Sequence, residues 1–115
     1  MKYLNLLSKN IELIKKYIPK PWRLKFYVYQ SPEMPISEMI NRVEFLRKHY
    51  CLPYLMRDQK CYYDENKNFY TDYAAYCNQP NMFKKLTFIE FLEKRHSNRE
   101  RIEKSKQIYK ENGGK

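Results

Sequence analysis

"RLKFYVYQSPEMPISEMINRVEFLRKHYCLPYLMR", residues 23–57, decides how this chain of 115 residues is read. Its first part sets Leu24, Phe26 and Val28 among Tyr27 and Tyr29, a β-branched and aromatic run that stops at the turn signal "SPEMP". A run apolar on both faces reads as a strand covered on both sides, the habit of parallel sheets. Ile36, Met39, Ile40, Val43, Leu46 and Tyr50 then recur at steps of three and four, which predicts an amphipathic helix over 37–49. "LPYLMR", residues 52–57, is a second strand, with Pro53 tolerable near its start or at an edge. Strand, helix and strand make a βαβ unit, whose strands run parallel through a right-handed crossover. The expected fold class is α/β and helix-rich: a small βαβ unit with parallel strands at 24–30 and 52–57, covered by amphipathic helices.

Outward from this unit, Leu4, Leu7, Ile11, Ile14 and Ile18 predict an amphipathic helix over 4–17, stopped by Pro19 and Pro21. Beyond residue 57, "DQKCYYDENKN" reads as a polar connection and "FYTDYAAYCNQP" as a short helix halted by Pro80. "TFIE", 87–90, and "SNRE", 97–100, each have the spacing of a capping box. They predict helices over 88–96 and 98–111, the second carrying only a thin apolar stripe. One domain over 1–111 and a disordered tail at 112–115 are expected.

Composition narrows the function classes. The hydrophobic share of 43% is that of a folded chain, and 12 tyrosines favour half-buried positions and interfaces. A net charge of +10 favours a polyanionic partner, although lysine runs commonly only solvate exposed helix faces. No apolar run approaches the roughly 20 residues that span a bilayer, so no membrane is expected. The first residues lack a small-residue cleavage site, and three cysteines without a secretion signal point to free thiols in the cytoplasm.

Cys51, Cys61 and Cys77 form no CxxC pair, and the nearby His49 adds only a weak suggestion of a metal site; none is expected. Glycine occurs only at 113 and 114, which removes any glycine-rich phosphate loop. In parallel α/β sheets ligands gather at the carboxyl ends of strands, which makes Tyr29, Gln30, Arg57 and Asp58 the candidate ligand-binding residues. Arg57 can hold a carboxylate or phosphate there, or it pairs with Asp58, or Asp58 caps a helix. Arg95, Arg99, Arg101, Lys104 and Lys106 form a second candidate, a face for polyanion contact, with Glu93, Glu100 and Glu103 interleaved as ordinary helix support.

"KFYVYQ", "INRVEFLRKHYCLPYLMR" and "YAAYCNQPNMFKKLTFIEFLEKRHSNRERIE" together resemble the C-terminal part of radical SAM-like proteins of bacterial mobile elements, over roughly residues 24–100. The resemblance implies late strands of a partial (β/α) barrel that binds S-adenosylmethionine and a [4Fe–4S] cluster. Its cluster motif, CxxxCxxC, has no counterpart here, so no ligand role passes to Cys51, Cys61 or Cys77. The expectation is a radical SAM-related C-terminal fragment, non-catalytic alone, as a remnant or a subunit of a split enzyme. S-adenosylmethionine and the cluster would enter only with a partner. The alternative is a small basic module that binds nucleic acid or protein. An isolated two-stranded parallel sheet has open edges, which calls for a second copy or a partner protein to cover them.

Overall fold

The computed structural model describes residues 2–114. In chain order these form α1 (Lys2–Lys15), β1 (Lys25–Gln30), α2 (Ile36–Lys48), β2 (Leu52–Arg57), a 3₁₀ turn (Gln59–Tyr63), α3 (Lys67–Cys77), α4 (Pro80–Lys85), α5 (Phe88–Arg95) and α6 (Arg99–Glu111). The strands pair in parallel with Lys25 beside Leu52 and Gln30 beside Arg57. A helix-rich α/β fold around one βαβ unit is therefore what the chain adopts.

The ladder fixes which backbone groups each strand spends on the other. Leu52 N–H donates to Leu24 C=O and Asp58 N–H to Gln30 C=O, both at 2.8 Å. In a parallel ladder alternate residues direct both their N–H and C=O to one side. Leu24, Phe26, Val28 and Gln30 therefore face β2, while Lys25, Tyr27 and Tyr29 direct their backbone groups outward. On β2 the outward set is Pro53, Leu55 and Arg57.

That second edge is closed. Pro53 has no N–H to offer. Leu55 N–H donates to Asn78 Oδ1 at 2.7 Å, and Asn78 Nδ2 donates to Leu55 C=O at 3.2 Å. One side-chain amide at the end of α3 thus supplies the donor and acceptor that a third strand would supply. No backbone or side-chain hydrogen bond from another described segment reaches the outward N–H and C=O groups of β1.

Helices α2 and α3 cover one face of the sheet. Val28, Gln30 and Leu55 are buried beneath them, whereas on the opposite face Tyr27, Tyr29, Tyr54 and Met56 are 69%, 49%, 39% and 50% exposed and Leu52, at the start of β2, is buried. This corrects the expectation of strands covered on both sides. The period-2 alternation is present once tyrosine is counted as amphipathic, its ring shielding the sheet and its hydroxyl staying wet.

The core continues from the sheet into an aromatic cluster around α3. Phe69 stacks on Tyr73 at 5.6 Å between centroids, and Phe88 meets Tyr73 edge-on at 5.2 Å. Tyr76 contacts Phe83, Phe88 and Phe91, each between 5.5 and 5.6 Å. Of α1, Ile11 is fully buried, while Leu6 and Leu13 are exposed.

The chain ends of the elements are set by local chemistry. After α2, Cys51 N–H bonds Leu46 C=O and Tyr50 N–H bonds Arg47 C=O, a Schellman stop with Tyr50 at φ 57° where glycine is usual. Trp22, also left-handed at φ 66°, donates its N–H to Tyr50 C=O and meets the Tyr50 ring edge-on at 5.7 Å. Each aromatic supports the other's unfavourable backbone, and together they align the starts of the two strands. Asn112, Gly113 and Gly114, at the start of the expected tail, close α6 in the same way, with Gly113 at φ 91°. Lys115 lies outside the described residues.

Thr87 and Glu90 form the expected capping box of α5. At α6 the cap is Asn98, whose side chain accepts from Arg101 N–H, rather than Ser97. Pro80 does not only halt a helix: it opens α4, since the first helical position needs no N–H.

Asn78→Ala will leave a buried donor and acceptor of Leu55 unpaired at the β2 edge. A loss of about 1–3 kcal/mol in urea unfolding is expected, with loss of protection at the Leu55 amide.

Candidate functional site

The four strand-end candidates do not act as one site. Gln30 is fully buried; its Nε2 donates to Tyr70 C=O at 3.1 Å, and its own C=O accepts from Asp58 N–H and from the Cys61 thiol at 3.3 Å. It binds β1 to α3 and to the 3₁₀ turn. Asp58 caps that turn by accepting from Lys60 N–H at 2.9 Å, and it also accepts from the Tyr29 hydroxyl. The N–H and the hydroxyl hold the Asp58 carboxyl below its ordinary range, and the carboxylate raises the Tyr29 phenol. Arg57 turns away from Asp58: it donates to Thr71 Oγ1 at 3.3 Å and lies 5.0 Å from the Tyr62 ring centroid.

The basic residues near the C-terminus are largely committed to internal partners. Arg99 bonds Glu93 and Glu103, and Lys106 bonds Glu93. Those two cations pull the Glu93 carboxyl down to about 2. Arg101 and Arg95 turn to Asp72, at 2.9 and 3.8 Å. Of the five expected polyanion contacts, Lys104 has no such partner among the described residues.

Asp72 is the residue that sequence reasoning missed. It sits fully buried on α3, ringed by His96 Nε2 at 2.8 Å, Arg101 Nη2 at 2.9 Å and Ser105 Oγ at 3.4 Å. The only sign in the sequence was a carboxylate within the aromatic run "FYTDYAAYC". Ser105 and His96 both address the carboxylate, not each other, so the trio does not form a nucleophile–base relay. It ties α5 and α6 to α3.

The thiols are equally committed. Cys51, Cys61 and Cys77 are buried and unbridged. Burial pushes the Cys61 thiol up to about 11 and raises those of Cys51 and Cys77. Among the described residues no group of three or more His, Cys, Asp or Glu side chains is placed to hold a metal ion.

Between α2, the start of α5 and the end of α6 lies an open cleft of about 620 Å³, bordered by Asn41, Glu44, Arg47, Thr87 and Tyr109. Arg47 spends its guanidinium on Glu44, the Tyr76 hydroxyl and Phe83 C=O, and stacks 3.8 Å over the Phe83 ring. Arg47, Glu44 and Thr87 on its border are thus already in structural use.

The surface with unspent groups is the bare side of the sheet. Tyr27 and Tyr54 pack edge to face at 5.6 Å, Lys25 lies 5.6 Å from the Tyr54 centroid, and Tyr29 and Met56 extend the same face. Beside it runs the open backbone edge of Lys25, Tyr27 and Tyr29. No helix among the described residues is long and apolar enough to cross a membrane.

Two outcomes follow from this chemistry. Replacing Asp72 by Ala leaves Arg101 facing a buried void and is expected to cost about 3–5 kcal/mol in denaturant unfolding. Raised thiol and phenol values mean that the folded chain holds protons which the unfolded chain releases. The contribution of these groups is therefore complete below about pH 9 and is lost from there towards about 11 with Cys61, and from 10 towards about 12 with Tyr70 and Tyr76. Unfolding midpoints against pH will check this, and thiol reagents at pH 8 are expected to react only as the chain unfolds.

Comparison with protein-family models, curated proteins and solved structures finds no match to this chain.

Proposed function

We propose that this chain is a strand-accepting protein-binding module, non-catalytic by itself, built as a C-terminal fragment of a radical SAM-like barrel. One observation carries the reading: the two sheet edges are treated differently. The β2 edge is closed by Pro53 and the Asn78 amide, while the β1 edge keeps the N–H and C=O of Lys25, Tyr27 and Tyr29 turned outward. A backbone edge of this kind takes up an added strand, with main-chain bonds giving affinity and flanking side chains giving selectivity.

Helices on one face and a bare opposite face are also what a piece of a (β/α) barrel retains, the bare face being the one turned towards the barrel interior. The closed β2 edge would then mark the side from which no further strand is taken. S-adenosylmethionine and the [4Fe–4S] cluster belong, on this reading, to the partner that carries CxxxCxxC. The paired cations of α5 and α6 weigh against the polyanion alternative at that face.

In the isolated chain the Tyr27 and Tyr29 amides should exchange rapidly, with Val28 and Leu55 protected, in residue-resolved hydrogen exchange. Adding a polypeptide that supplies the missing strand should slow the first two. If those amides are protected in dilute isolated chain, or stay fast in every complex the protein forms, strand acceptance is wrong. Anaerobic treatment with iron and sulfide is expected to give no cluster absorbance on the chain alone.

A further inference from the structure

The strand-accepting reading leaves open what occupies β1. We infer that the occupant is a second copy of this chain, its β1 paired antiparallel with the first about a two-fold axis through Tyr27. This rests on the strand-accepting reading and goes beyond it.

Self-pairing through the sheet has one available geometry. A β1 edge docking on the β2 edge of a neighbour would meet Leu55 already bonded to Asn78 and Pro53 without an N–H, which leaves it no continuous ladder. β1 against β1 keeps all three outward residues of each copy, and it is isologous and closes at two chains instead of running on as a fibre. The outward-facing set is three residues, Lys25, Tyr27 and Tyr29, and it has a centre. With Tyr27 opposite Tyr27 of the second copy, Lys25 falls opposite Tyr29 at both ends. All three positions then become hydrogen-bonded pairs, giving about six main-chain bonds.

The side chains agree with this register. Lys25, Tyr27 and Tyr29 all lie on the bare face. Side by side across the new seam, Tyr27 meets Tyr27 with Tyr54 of each copy behind it, extending an edge-to-face contact already present within one chain. Each Lys25 comes beside Tyr29, whose hydroxyl is held by Asp58. A cation therefore meets an aromatic ring backed by a carboxylate, not a second cation. A slip by two residues would lose one of the three pairs and bring Lys25 away from Asp58. The product is a four-stranded sheet of order β2–β1–β1–β2, with its central pair antiparallel and both outer edges closed by Asn78.

The main opposing force is the net charge of +10 on each copy. Salt screens that repulsion, so self-association tightens as ionic strength rises. Binding to a polyanion weakens under the same change. The sign of the salt effect separates the two.

Sedimentation velocity over a wide concentration range, with hydrogen exchange on the same samples, tests the proposal. The expected result is a monomer–dimer equilibrium, tighter at higher salt, in which the Tyr27 and Tyr29 amides gain protection as dimer forms. Tyr27→Pro removes an outward N–H that β2 does not use, so it should keep the far-UV circular dichroism and abolish the dimer. Lys25→Glu sets a carboxylate beside Asp58 at both ends and should weaken dimerisation by about tenfold. A protein that stays monomeric at every concentration overturns the inference. So does a dimer whose Tyr27 and Tyr29 amides still exchange freely, since it uses another face. If the monomer's two amides become protected only when a different polypeptide is added, the second copy is excluded while strand acceptance stands. If they are never protected, both fail.

Discussion

Two parallel strands cannot be joined by a tight turn, and most of this fold follows from that constraint. The crossover must be an element in its own right, here α2, and it must lie on one face of the pair. That leaves a second face, and two edges, for the rest of the chain to deal with. The C-terminal helices cover neither the bare face nor β1's outer edge. Instead α3 lies against β2 and closes its edge with the Asn78 amide, and the aromatic core grows from α3 away from the sheet.

The charge pattern obeys a similar economy of position. A basic chain has ample cations to present, yet four of the five on α5 and α6 considered for polyanion contact turn inward or towards neighbouring carboxylates. A fully buried Asp72 needs cationic and hydroxyl partners, because an ionised carboxylate without them is not tolerated in an apolar interior. His96, Arg101 and Ser105 supply them. This fastens the last two helices to α3 and takes Arg101 out of the surface set. Position on a helix face gave no notice of it, since the partner lies 29 residues away.

Much of the architecture was legible in the residues. Helical spacing in 36–50, flanked by two short apolar runs, is enough for a βαβ unit, because few other arrangements use that order of periods. The Thr87–Glu90 capping box is a local interaction and was found as one. What was misread was mostly ambiguous locally. Tyr27 and Tyr29 count as apolar on a composition scale, so the run reads as two-sided while the helices cover one side. Tyr50 holds a helix stop that usually betrays itself by glycine, and it does so with Trp22 as support from another segment. Gln30, expected at a ligand site by the rule for strand ends, is consumed by α3, which no strand-end rule can anticipate.

The sequence by itself determined the strand–helix–strand order of residues 24–57, its parallel pairing and the helices on either side of it, because these rest on periodicity, on local stop and cap signals and on the crossover that a short helix imposes. The tertiary structure alone decided which edge is closed, which face is bare and which cations are spent. Each of those depends on a single side chain, Asn78, Tyr27 or Asp72, meeting a backbone or a charge that lies far off in sequence. Such meetings carry no periodicity, and only the folded arrangement reveals them.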